Sequence, residues 1–168
     1  MVWLLGSAIP PQAIAATPTV KRTACPAQVE PLTALLLRDL PSYANRVITR
    51  SSRSAIGSMN FILMAGRPEF EPLPLKPGAD SSESSDLHQV FLTTLERQNV
   101  AGKPFDLQQF HWLFLAKTQS GWRLALSFTR TGSPTGQPPT PPRESSQGIV
   151  GQAVQTWLRD CNAGAIRR

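Results

Sequence analysis

The sequence predicts a single α+β domain, an antiparallel β-meander of four to five strands packed against N-terminal helices and one C-terminal helix. Three observations predict it: two alternating runs flank Gln119-Ser120-Gly121, an apolar stripe at helical spacing runs from Ile149 to Cys161, and a shorter stripe of that period runs from Leu32 to Leu40. The 168 residues, 40% of them hydrophobic, suffice for one buried core and fall short of two. The 16 prolines and 11 glycines cluster, so much of the length is connection.

Taken in order, Val2 to Ile9 form an apolar run and Ala13-Ile14-Ala15 supplies the small-x-small pattern of a signal-peptidase site. Residues 1–15 therefore read as an export signal, without the customary basic start, and residues 16–168 as the domain. The run is much shorter than the roughly 20 residues of a membrane span. Cys25 and Cys161 are the two cysteines, and in an exported chain they imply one disulfide joining the ends of the domain. Two alternatives stand beside that reading. An acylated Cys25 is disfavoured because Arg22-Thr23-Ala24 lacks the apolar position of a lipobox, and two buried thiols would fit a reducing compartment.

Pro31 suits a first helical turn, and Leu32, Leu35, Leu36 and Leu40 follow at helical spacing, so a helix is predicted over 31–40, ended by Pro41. Ser42 caps a second short helix with Tyr43, Val47 and Ile48 on one face and Arg46, Arg50 and Arg53 on its wet side. Phe61 to Ala65 read as a strand stopped by Gly66-Arg67-Pro68, and Glu69 to Leu75 as an irregular edge. A Gly/Ser/Asp-rich loop fills 76–86. Residues 87–98 fit either a helical face or a doubly buried strand, and their β-branched and aromatic content selects the strand.

The hairpin follows. Treating Gln119-Ser120-Gly121 as a three-residue loop pairs Thr118 with Trp122, Ala116 with Leu124, Phe114 with Leu126 and Trp112 with Phe128, so one face is entirely apolar. Residues 132–143 form a proline-rich loop in which Pro138-x-x-Pro141 also spells a minimal ligand pattern for an SH3-type module. Ser145 or Ser146 then caps the last helix, whose stripe of Ile149, Val150, Ala153, Val154, Trp157, Leu158 and Cys161 turns the cysteine toward the body of the protein.

For chemistry the chain offers little. No phosphate-cradling glycine loop, Cys-x-x-Cys, His-x-x-x-His or Gly-x-Ser-x-Gly elbow occurs, and no cofactor or metal site is predicted. The two histidines, His88 and His111, read as satisfied or surface groups. Glu69 and Glu71 share one face of the irregular edge and could pair as acid and base, but the prolines around them make an exposed loop the plainer reading. Glu96-Arg97, Arg143-Glu144 and Arg159-Asp160 read as surface ion pairs or loop anchors. The net charge of +6 is scattered, which points away from nucleic acid and toward a solvated basic surface. Trp112, Trp122 and Trp157, with Phe114 and Phe128, form either one core where helix meets sheet or the lining of a ligand cavity.

Leu40 to Arg46, Phe110 to Leu115 and Pro141 to Ser145 together make residues 25–165 resemble small exported proteins of cyanobacteria that carry no assigned activity. The resemblance implies export to the periplasm or thylakoid lumen, or secretion, and no site residue. At fold level the helix-then-meander order is similar to cystatin-like and nuclear-transport-factor-like domains, which licenses no function. The resulting expectation is a non-enzymatic exported domain that binds a protein or envelope component, or assists its assembly. The alternative is a small-molecule carrier or minor enzyme with an aromatic cavity between sheet and helix.

Overall fold

The computed structural model describes residues 24–51, 61–71, 86–100, 102–132 and 140–167. The export-signal segment 1–15 and residues 133–139 of the proline-rich loop lie outside them.

A buried stripe of Leu32, Leu36, Leu40, Ala44 and Ile48 builds one continuous helix, α1 (Val29–Ser51). The expected break at Pro41 does not occur, and the two predicted N-terminal helices are one. Proline in a helix interior costs about 3 kcal/mol, because it removes one backbone donor and crowds the preceding turn. Burial of a side chain the size of Ile or Leu returns about 1.5–3 kcal/mol, and the stripe runs on past Pro41 to Ala44 and Ile48, so packing carries the helix through.

The strands are β1 (Phe61–Met64), β2 (Leu87–Val100), β3 (Lys103–Thr118), β4 (Gly121–Thr131) and the two-residue β5 (Arg143–Glu144). They form one antiparallel sheet in chain order, the meander expected from the sequence. Residues 87–98 are strand, as their β-branched content indicated. Beyond β1, Glu69 exchanges backbone hydrogen bonds with Phe91 at 2.9 and 2.7 Å, an isolated bridge on the edge of β2, and residues 72–75 of the expected irregular edge lie outside the described residues. The chain closes with α2 (Ile149–Asn162).

Both helices cover one face of the sheet. α1 packs on β1 and α2, and α2 on β4. Their buried stripes join Ile62, Val90, Leu92, Leu113, Leu115 and Trp122 in one hydrophobic cluster that also holds Trp157 and Cys161. Trp157 is completely buried and its Nε1 donates to Asp39 of α1 at 3.0 Å, tying the helices together. Burial pushes the Asp39 carboxyl upward, but the hydrogen bonds from Arg38 and Trp157 outweigh it and hold its pKa below the ordinary carboxylate value.

The hairpin differs from its predicted register near the turn. Thr118 pairs with Gly121, Lys117 with Trp122 and Leu115 with Leu124, so the loop has two residues, Gln119 and Ser120. Ala125 is then an extra residue in β4, a bulge that restores the expected pairs of Phe114 with Leu126 and Trp112 with Phe128. The bulge decides the faces. Trp122 and Leu124 point to the helices, whereas Leu126 and Phe128 point away from them.

The start of α2 also differs. Its N-cap is Gly148, with no side-chain cap bond, rather than Ser145 or Ser146. Those serines serve the sheet instead. Ser146 Oγ accepts from Ser127 N at 2.9 Å, and Ser145 Oγ lies 2.8 Å from Thr129 Oγ1.

Candidate functional site

The disulfide between Cys25 and Cys161 is present, with Cα atoms 5.1 Å apart across 136 residues of sequence. It locks the segment ahead of α1 onto the last turn of α2. Around it Trp122 Nε1 donates to the Pro26 carbonyl at 2.8 Å, and Asn162 clamps the Trp122 backbone, accepting from its N–H at 3.1 Å and donating to its carbonyl at 2.9 Å. Beside this knot opens a cleft of about 550 Å³ between the start of α1 and the β3–β4 turn, lined by Glu30, Asp86, His88 and Lys117 among others. The His88 ring stands edge-on to Trp122 with centroids 5.3 Å apart.

The predicted aromatics divide between two environments. Trp122 and Trp157 share the core under the helices. Trp112 is buried as well, with 8% of its surface exposed, but it lies on the opposite face of the sheet, so one core does not hold all three tryptophans. There it packs against Phe91 with centroids 5.2 Å apart, and Phe91 in turn stacks on Phe110 at 6.1 Å. Phe114 and Phe128 meet edge to face at 6.3 Å on the same side, next to Leu126, which is 37% exposed. Of the apolar face legible in the hairpin, Trp112, Phe114, Leu126 and Phe128 thus share one side, directed away from both helices, whereas Trp122 and Leu124 lie on the other. Phe91 and Phe110 belong to this row, which local sequence does not reveal. Their cross-strand neighbours, Trp112 and Thr93, become visible only once the β2–β3 register is known.

On the helix-facing side the sheet carries a second cluster that the sequence did not disclose. His111 Nε2 lies 2.9 Å from Thr94 Oγ1 and His111 Nδ1 lies 2.8 Å from Thr129 Oγ1, and the chain of hydroxyls continues through Ser145 to Ser127. A neutral imidazole has one donor and one acceptor, and threonine hydroxyls can complement both. Burial pushes the His111 pKa down to about 4, so the ring is neutral at pH 7. A histidine beside hydroxyls has the composition of a base and nucleophile. With 2% of its surface exposed and both ring nitrogens facing threonine hydroxyls, this one lies satisfied in a polar strip within the core.

The expected surface pair of Glu96 with Arg97 does not form, because adjacent strand residues face opposite sides. Glu96 is buried on the helix-facing side, where it accepts from Gln98 and Gln109. Arg97 reaches across to Asp106 in a two-pronged pair at 2.6 and 2.7 Å. Glu69 and Glu71 are exposed, exposed Arg159 pairs with half-buried Asp160 at 3.5 Å, and Arg143 and Glu144 are β5 itself. Among the described residues no three His, Cys, Asp or Glu side chains gather as a metal site, and no helix is long and apolar enough to cross a membrane.

Compared with known proteins, the chain matches no family model, no curated protein and no solved structure.

Proposed function

We propose that the protein is an exported, non-enzymatic binding domain that recognises a protein or envelope component through the outer face of its sheet. The observation that carries the reading is the aromatic row of Phe91, Phe110, Trp112, Phe114 and Phe128 with Leu126, on the side of the sheet opposite both helices. Aromatic side chains bring large apolar area at a low cost in conformational entropy, which is why they dominate the energetic centres of interfaces. The disulfide supports a compartment outside the reducing cytosol. Residence in the periplasm or thylakoid lumen belongs to the same reading. The alternative, a carrier with an aromatic cavity between sheet and helix, draws less support, because Trp122 and Trp157 are buried within the packed cluster there.

The test is site-specific photocrosslinking in the intact exported chain. A photoreactive residue at Leu126 is expected to capture a discrete partner, and the same residue at exposed Gln152 on α2 is not. A second substitution, Phe128→Asp, should abolish the Leu126 adduct while the fold persists. Equal labelling at both positions, or substrate turnover by the purified protein, would reverse the reading.

A further inference from the structure

The arginines on the wet side of α1 meet an arginine of α2. Arg46 and Arg50, one turn apart, and Arg159 border a recess of about 200 Å³ between the two helices, walled by Val47, Thr156 and Asp160. Tyr43 lies at its edge, where its hydroxyl donates to Asp160 at 2.9 Å and the Arg46 guanidinium sits 4.1 Å from the ring centroid. Burial and the bond to Asp160 raise the pKa of that phenol, so it stays a donor to Asp160 Oδ2 at neutral pH, while Oδ1 of the same carboxylate lies 3.5 Å from Arg159 Nε. Arg50 has no acidic partner among the described residues, and residues 51–60 contain no acid.

The charge balance decides what the recess can hold. Arginines near helix C-termini compensate the macrodipole, each helix end carrying about half a negative charge. Three guanidinium groups exceed that demand. With Asp160 and both helix ends subtracted, about one positive charge remains. Guanidinium forks match tetrahedral oxyanions, donating two parallel hydrogen bonds to each. Size narrows the ligand further, since pockets for whole drug-sized molecules begin at about 300 Å³. The recess fits a small ion or a single group rather than a drug-sized molecule.

We infer that the groove between α1 and α2 is an anion site for a phosphoryl group, held by Arg46, Arg50 and Arg159 with the Thr156 hydroxyl beside them. It lies on the helical side of the molecule, opposite the aromatic sheet face, and stands independently of the function proposed for that face. The phosphoryl group has two sources, free phosphate or a phospholipid headgroup.

The experiment titrates the oxidised full chain with inorganic phosphate at constant ionic strength, with chloride as the balancing salt, and follows the arginine Nε–Hε resonances. Saturable shifts at Arg46, Arg50 and Arg159 are expected, and Arg50→Gln or Arg159→Gln should each weaken binding about tenfold. Sedimentation with phosphatidylcholine vesicles, with and without phosphatidic acid, separates the sources. Phosphate-competed sedimentation that needs phosphatidic acid assigns the headgroup, and saturable phosphate binding without sedimentation assigns the free ion. Shifts that grow linearly and equally with chloride, or saturable shifts unchanged in both variants, overturn the inference.

Discussion

The imidazole of His111 reaches diagonally across the β2–β3 pair to the hydroxyl of Thr94, 2.9 Å from Nε2 to Oγ1, and this contact sits inside the protein rather than at its surface. A polar strip of this kind is tolerable only when every member is satisfied, since an unpaired polar group in the core costs about 1–3 kcal/mol.

Protonation of that ring sets a pH dependence. In the unfolded chain it titrates near its ordinary value of 6.5, and in the folded protein near 4. Between these values the unfolded state binds the extra proton, so stability is complete above pH 6.5 and falls as the pH drops toward 4, by about 3 kcal/mol at most. Denaturant unfolding from pH 7.5 to 4 should show this slope in the parent protein and lose it in His111→Gln. Parallel curves for the two proteins would contradict the assignment.

Removing the link between Cys25 and Cys161 by replacing both with Ala should lower the unfolding free energy by up to about 5 kcal/mol, the chain-entropy value for so long a loop. Chemical denaturation with and without a reductant measures it. An unchanged midpoint would mean that the bridge does not constrain the unfolded ensemble.

Trp112→Ala should cost about 3 kcal/mol through the cavity left against Phe91, and Trp157→Ala should cost more, because that ring is wholly buried and also loses its bond to Asp39. The order of the two, read from thermal melts, is the sensitive part. If Trp112→Ala proves the more damaging, the outer aromatic row is more central to stability than the helix-facing core.

Gly121 has φ +107°, and a Cβ built there would fall 2.3 Å from Asn162 Oδ1, the atom that accepts from the Trp122 backbone. Gly121→Ala should therefore destabilise by about 1–3 kcal/mol through backbone strain together with a displaced clamp. In an Asn162→Ala background the clash disappears and only the strain remains, so the same substitution should cost less there. A double-mutant cycle with no coupling between the two positions would show the clamp to be irrelevant.

Much of the fold was legible because its signals are local. The stripe from Ile149 to Cys161, the β-branched content of 87–98 and the alternating runs around residues 119–121 each specify an element from a dozen neighbouring residues. The pair Cys25 and Cys161 was legible by counting. The candidate site was legible in composition, since Trp112, Phe114 and Phe128 stand out in the alternating runs, but not in placement. His111 with Thr94, and Arg97 with Asp106, gave no signal, because their partners come from other strands.

What the sequence by itself determined is the inventory: two cysteines at the ends of the domain, the strands with their alternating rows, and the amphipathic helices. Only the tertiary structure decided which row the helices cover. Alternation states that the two faces of a strand differ, but where both rows are apolar it cannot say which lies inside. One extra residue at Ala125 exchanges the two rows partway along β4, so Trp122 is buried under the helices while Phe128 joins the outer face. The passage of α1 through Pro41 was decided in the same way, by burial on both sides of a residue whose local preference is to stop the helix.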